Sequence, residues 1–250
     1  MTSNEQISLS KFLATSGVAA RRKVIGLIHE GRVSVNNQIT KEPGYKITQQ
    51  DVVKCDDTII KPRKKVYILL NKPKNCVTTA HDELERRTVL DLIKSRNLPR
   101  IFPVGRLDRD TTGLLLLTND GELAQQLSHP RNKINKAYLV TLDRPLEAID
   151  LDKLHLGIHL SDGRIKPDKV YIVPSSKKHN VIIELHSGKN RVVRRIFEAL
   201  GYKIRNLDRF KFAGLTRQGL ERGNWRFLKP SEVDRLGAHA SPTYESSTTK

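Results

Sequence analysis

The chain has 250 residues and carries 45 Lys+Arg against 27 Asp+Glu, a formal net charge of +18. A cationic surplus of this size attracts polyanions, and each phosphate contact is rewarded by release of condensed counterions, so nucleic acid is the partner that composition points to. A membrane is set aside, because there is no run of about 18 apolar residues and no amphipathic anchor stands out.

The opening MTSNEQISLSKFLATSG has neither the charged start nor the apolar core of a secretory signal, so a cytoplasmic protein is expected. Two short helices are predicted over residues 8–29. The first places Leu9, Phe12 and Leu13 on one face and stops at Gly17; the second places Val24, Leu27 and Ile28 on one face and stops before Gly31. RVSVNNQIT and DVVKCDDTII then read as strands turning at Asn36-Asn37 and Asp56-Asp57. The basic residues Arg21, Arg22, Lys23 and Arg32 crowd around the second helix, either as a solvated face or as a phosphate-binding one. KPRKK, residues 61–65, has the charge and the proline of a linker between a first domain at 7–60 and a second at 66–236.

Beyond the linker the apolar runs lengthen. Strands are predicted at 66–70, 113–118, 137–142, 169–173 and 181–185, and helices at 88–94, 122–128 and 190–200. This order suggests an α+β domain built on a mostly antiparallel mixed sheet. Residues 237–250, small and polar with no apolar period, read as a disordered tail. Cys55 and Cys76 have no C-x-x-C spacing and no histidine set beside them, so two buried free thiols are expected in place of a disulfide or a metal site. Neither a phosphate-binding nor a dinucleotide-binding glycine loop occurs. Any chemistry falls to ordinary side chains.

LSKFLATSGVAARRKVIGLIHEGRVSVNNQ resembles the S4 (α-L) RNA-binding domain, in which two helices and a loop grip structured RNA. The rest is similar to the catalytic domain of the RsuA/RluB-type pseudouridine synthases. That resemblance rests on LLNKPKNCVTT, PVGRLDRDTTGLLLLTNDGEL, HPRNKINKAYLV, SGKNRVVRRIFEALGY and LERGNWRFL, in this order. It implies isomerisation of a uridine in ribosomal RNA, large-subunit (23S) RNA before small-subunit or transfer RNA, without metal or organic cofactor. A monomer is expected, because no oligomerising heptad or extended apolar surface pattern appears. The resemblance also implies Asp108 as the essential acid, Tyr138 as the aromatic against the target base and Arg194 as the acid's cationic partner. The sequence departs from the family pattern at Asn75, where glycine is usual, at Ser187, where glutamate is common, and at Val192, where glutamine is common.

A carboxylate can attack the nucleotide or remove a sugar proton, and sequence leaves both routes open. Either needs the ionised form, which burial disfavours and a cation within about 4–6 Å restores. On the helical wheel of NRVVRRIFEAL, Arg194 borders the face of Val193, Ile196, Phe197 and Leu200, whereas Arg195 points away toward phosphate. Tyr138 can return by stacking part of the cost of extruding a base. Residues 186–226 hold eleven Lys/Arg against three acids, and RNA contacts are expected from Lys72, Lys74, Arg106, Arg109, Arg131, Lys136, Lys189, Asn190, Arg191 and Arg195. A binding-only RNA protein would explain the charge and the first 60 residues but leaves GRLD, KAY and RRIF without a task.

Overall fold

A computed structural model describes residues 6–79, 82–93, 95 and 98–240. They form two compact units, residues up to 66 with 98–100, and the remainder.

In the first unit, β1 (Ile7–Ser8) pairs with β4 (Lys46–Ile47), and α1 (Leu9–Thr15) and α2 (Arg21–His29) follow the apolar spacing of the sequence. A four-stranded antiparallel sheet has the order β3-β2-β5-β6, from β2 (Val33–Val35), β3 (Gln38–Ile39), β5 (Val53–Cys55) and β6 (Thr58–Ile59). Both hairpins turn on residue pairs with positive φ, Asn36-Asn37 at 50° and 66° and Asp56-Asp57 at 47° and 60°. Two successive left-handed residues match the twist of paired strands, and Asn and Asp tolerate that region best after glycine. Leu9, Leu13, Val24, Ile28, Val33 and Val53 close the core. Cys55 lies in that core and Cys76 in the second unit; both are buried free thiols.

The second unit is built on a nine-stranded sheet whose main path is β13-β14-β10-β15-β9-β7-β17. In chain order these elements are β7 (Tyr67–Lys72), β8 (Phe102–Pro103), β9 (Thr112–Thr118), α3 (Gly121–Ser128), β10 (Lys136–Leu142) and α4 (Ala148–Leu156). A small hairpin of β11 (Ile158–Leu160) and β12 (Gly163–Ile165) follows, then β13 (Lys169–Ile172), β14 (Asn180–Leu185) and α5 (Val192–Ala199). The chain ends through β15 (Ile204–Phe212), β16 (Leu215–Thr216), β17 (Trp225–Phe227) and α6 (Pro230–Ala240). Among the described residues every strand pairing of this sheet is antiparallel except β15 with β9. The α+β class and the mixed, mostly antiparallel sheet are therefore as expected.

Leu114 to Leu117 are all fully buried, so β9 is covered on both faces and reads as an unbroken apolar run. Two cores result. Val140, Leu154, Ile183, Val193, Ile196 and Phe197 join α4 and α5 to one part of the sheet; Leu69, Leu116, Leu123, Leu127, Phe212 and Leu236 join α3 and α6 to the other.

Three expectations need correction. Residues 88–93 are not helical: Thr88 bridges Val77 in parallel, and its backbone N–H donates to the Asp91 carboxylate at 2.7 Å, so a side-chain turn replaces the helix. Lys94 lies outside the described residues. The helix expected over 190–200 begins at Val192, because Arg191 sits at φ 47°. Finally, α6 runs to Ala240, so residues 237–240 of the expected tail are helical, anchored by fully buried Leu236; 241–250 lie outside the described residues.

Candidate active site

The turn 106–111 carries Asp108 and is fixed from two sides. Thr78 Oγ1 donates to the Leu107 carbonyl at 2.7 Å and accepts from the Leu107 N–H at 3.2 Å. Lys72, fully buried at the end of β7, directs its ammonium at the carbonyls of Asp108 (3.0 Å), Arg109 (3.2 Å) and Thr111 (2.9 Å) as well as its neighbour Pro73 (3.1 Å). An ammonium out of water needs such acceptors. Burial still pushes its pKa down to about 8. The sequence-based expectation of an RNA contact at Lys72 is thus overturned: it holds the backbone of the loop that presents the acid.

From the other side comes α5. Arg194 is 9% exposed, and its Nε lies 3.5 Å from Asp108 Oδ2 while its Nη2 reaches Asp110 Oδ2 at 3.1 Å and Thr111 Oγ1 at 3.3 Å. Arg191, in the left-handed region just before the helix, brings Nη1 to 3.4 Å from the same Asp108 oxygen. Non-glycine residues held there store strain and gather at functional sites. One carboxylate, with a side chain 33% exposed, is thus flanked by two guanidiniums three residues apart in the chain. Guanidiniums are planar, charged donors, so the carboxylate faces two fixed positive groups.

Asp108, Arg191 and Arg194 line a cavity of about 340 Å³ between the two cores. Tyr138 on β10 lines it too, beside Leu207, Arg209 and Phe212 of β15 and Val104 and Leu127. Arg106, Lys136, Lys189 and Asn190 complete the expected residues found there. Lys136 turns its ammonium to the carbonyls of Ile134, His186 and Ser187, and burial, with nearby Arg209, pushes its pKa down to about 8. Lys189 also donates to the Asp162 carbonyl at 2.6 Å.

Lys74, Arg109 and Arg131 are exposed and do not line this cavity. Arg195 is tied to Asp162 at 2.9 Å, so its expected phosphate contact is already replaced by a carboxylate. In the first unit Arg32 is likewise committed, to Asp56 at 2.6 and 2.8 Å, whereas Arg21, Arg22 and Lys23 stand exposed on the first turn of α2. Sequence reasoning missed Arg191 as a partner of the acid, Asp110 as a second acceptor for Arg194, and Arg209. The left-handed strain at Arg191 leaves no trace in residue type. The departure at Asn75 is accommodated at φ 58°, a region asparagine tolerates in place of glycine.

A family model described as RNA pseudouridylate synthase matches residues 66–199, more than half of the chain. The chain belongs to that family. This pseudouridine synthase also matches the S4 domain model over residues 8–53. Among its relatives, the ribosomal large subunit pseudouridine synthase B of Bacillus subtilis is 43% identical, over 93% of this chain and 96% of that one. The dual-specificity RNA pseudouridine synthase RluF of Escherichia coli is 32% identical, over 93% and 79%. A crystal structure of a pseudouridylate synthase superposes with a TM-score of 0.66 at 32% identity, covering 92% of this chain and 99% of that one. The enzyme is therefore an isomerase that converts uridine in RNA to pseudouridine.

Proposed function

We propose that this pseudouridine synthase acts on a uridine of large-subunit (23S) ribosomal RNA, as a cytoplasmic monomer, with Asp108 as its catalytic carboxylate. The observation that carries the site assignment is the Asp108 carboxylate held between Arg194 and Arg191 at the wall of an apolar-backed cavity. The RNA assignment is supported by the large-subunit name of the Bacillus subtilis relative, matched over nearly its whole length.

In the reaction the N1–C1′ bond breaks, the C5–C1′ bond forms, C5 loses a proton and N1 takes one, with no net redox change. Both routes open to a carboxylate use its oxygens as an electron-pair donor, and the guanidiniums of Arg191 and Arg194, 3.4 and 3.5 Å away, fix the position of those oxygens. Tyr138 supplies the stacking surface for the extruded base, recovering part of the few kcal/mol that extrusion costs. Arg21, Arg22 and Lys23 give the S4 unit an exposed cationic edge for RNA phosphates, joined in the catalytic unit by Arg106, Arg109, Arg131, Lys74 and Asn190. Mapping pseudouridine across ribosomal RNA from cells with and without the gene tests the RNA assignment. One large-subunit position should revert to uridine in the deletion; reversion only in small-subunit or transfer RNA would refute it.

A further inference from the structure

Arg209 is a 2% exposed guanidinium on a central strand, and its hydrogen bonding is incomplete. Nε donates to the Leu114 carbonyl at 2.8 Å, and the guanidinium lies 4.7 Å from the Phe212 ring centre. Nη2 is buried with no acceptor among the described residues. A buried donor left without a partner costs free energy comparable to a lost hydrogen bond, so one kept beside a cavity calls for an explanation. Arg209 lines the cavity of Asp108. In the β10–β15 ladder it is the direct partner of Tyr138, so the two project from the same face of the sheet. Lys136, close enough for its charge to be felt, is saturated by three carbonyls.

We propose that Arg209 orients the target uracil, donating from its guanidinium to a carbonyl oxygen of the base both before and after the base turns over. The inference rests on the reading that this cavity takes the target base.

A base and a phosphate are both acceptors, but the sugar–phosphate backbone stays at the open side, where Arg106 and Asn190 are exposed. Arg209 lies on the buried strand among Leu207 and Phe212, where a flat ring with apolar faces fits better than a charged, strongly hydrated phosphodiester. The polar atoms of uracil that can accept from a guanidinium are O2 and O4. An axis through N3 and C6 exchanges N1 with C5 and, at the same time, O2 with O4. A half-turn about that axis, which brings C5 to the sugar carbon, therefore presents an oxygen to the same donor in both orientations. While detached, the base carries negative charge spread over those two oxygens, which a desolvated guanidinium stabilises.

The test uses the full chain and a ribosomal RNA fragment bearing the mapped uridine, together with versions carrying 2-thiouridine or 4-thiouridine there. Sulfur is the weaker acceptor. Single-turnover rates of wild type, Arg209→Met and Arg209→Lys are compared, with circular dichroism to establish folding. Wild type should be slowed by sulfur at either position. Arg209→Met should be roughly 10- to 100-fold slower on uridine, the value of a lost charged hydrogen bond, and should no longer distinguish sulfur from oxygen; Arg209→Lys should recover part of both. A purely structural arginine would leave sulfur sensitivity unchanged in whichever variant folds, and that result overturns the inference. Indifference of wild type to sulfur overturns it whatever the variants do. A fully active Asp108→Asn enzyme would instead remove the underlying site assignment, so the two failures are distinguishable.

Discussion

The approach of β9 to β15 in their parallel pairing leaves no room for a side chain at Gly113. A Cβ there would lie 2.2 Å from the Arg209 carbonyl oxygen and 2.5 Å from its nitrogen, and the backbone stands at φ 111°. Even the close C–H···O contacts of sheets hold carbon and oxygen about 3.3 Å apart, so Gly113→Ala must part the two strands by about 1 Å. The φ value alone costs on the order of 1–3 kcal/mol for a residue with a Cβ. Loosening the pairing of Thr112 and Gly113 with Asp208 and Arg209 adds to it. We expect a loss of about 3–5 kcal/mol, at the severe end for a single substitution. Because Asp108 precedes β9 and Arg209 lies on β15, an error of about 1 Å there also costs on the order of 100-fold in rate. Gly105→Ala is the control: φ is 72°, but nothing lies within 4 Å of the added carbon, so only about 1–2 kcal/mol of left-handed strain applies. Urea unfolding of both variants measures the difference. Equal losses would refute the argument from strand approach.

Lys72→Met should destabilise the enzyme and cut its activity by releasing the carbonyls of the Asp108 turn. Its pH signature is separate. With the folded pKa at about 8 and the ordinary lysine value at 10.5, the unfolded chain binds more protons between those limits, so wild-type stability gains with rising pH there. The stability difference between wild type and variant should widen by up to about 3 kcal/mol from pH 8 to 10.5, and a flat difference in urea titrations would contradict it. Arg194→Ala should lose more single-turnover rate than Arg191→Ala, roughly 100-fold against 10-fold, because Arg194 is the buried member of the pair. Replacing Arg21, Arg22 and Lys23 by alanine should lower RNA affinity and flatten its salt dependence, measured by filter binding from low to high salt, without changing the single-turnover rate at saturating enzyme.

Elements with a clear local signal were legible from residue order: α1 and α2 by apolar period, the Asn-Asn and Asp-Asp hairpins by their turn residues, and β9 by its unbroken apolar run. The pairing of Asp108 with Arg194 was implied by the motif resemblance, and the wheel of α5 only favoured Arg194 over Arg195. Strand β15 was not legible, because IRNLDRFKF buries Asp208 and Arg209 in mid-strand and so hides its alternation. Those charges are tolerable only through distant partners: Asp208 accepts from Thr112, Arg217 and Arg222, which lie 96, 9 and 14 positions away. The basic stretch around residues 186–226 reads as a polyanion groove, yet several of its cations are spent inside the protein. Charge counts cannot separate a guanidinium held by a carboxylate from one free for phosphate. Lys72 shows the same limit, since a lysine that cages carbonyls looks like any other.

The carboxyl group in the cavity is tested most directly by Asp108→Asn, which keeps the shape and replaces the carboxyl by an amide. Pseudouridine formed in ribosomal RNA by the purified variant, with RNA affinity measured alongside, gives the answer. Product should vanish while affinity stays within a few-fold of wild type. Pseudouridine formation at the wild-type rate would place the chemistry elsewhere.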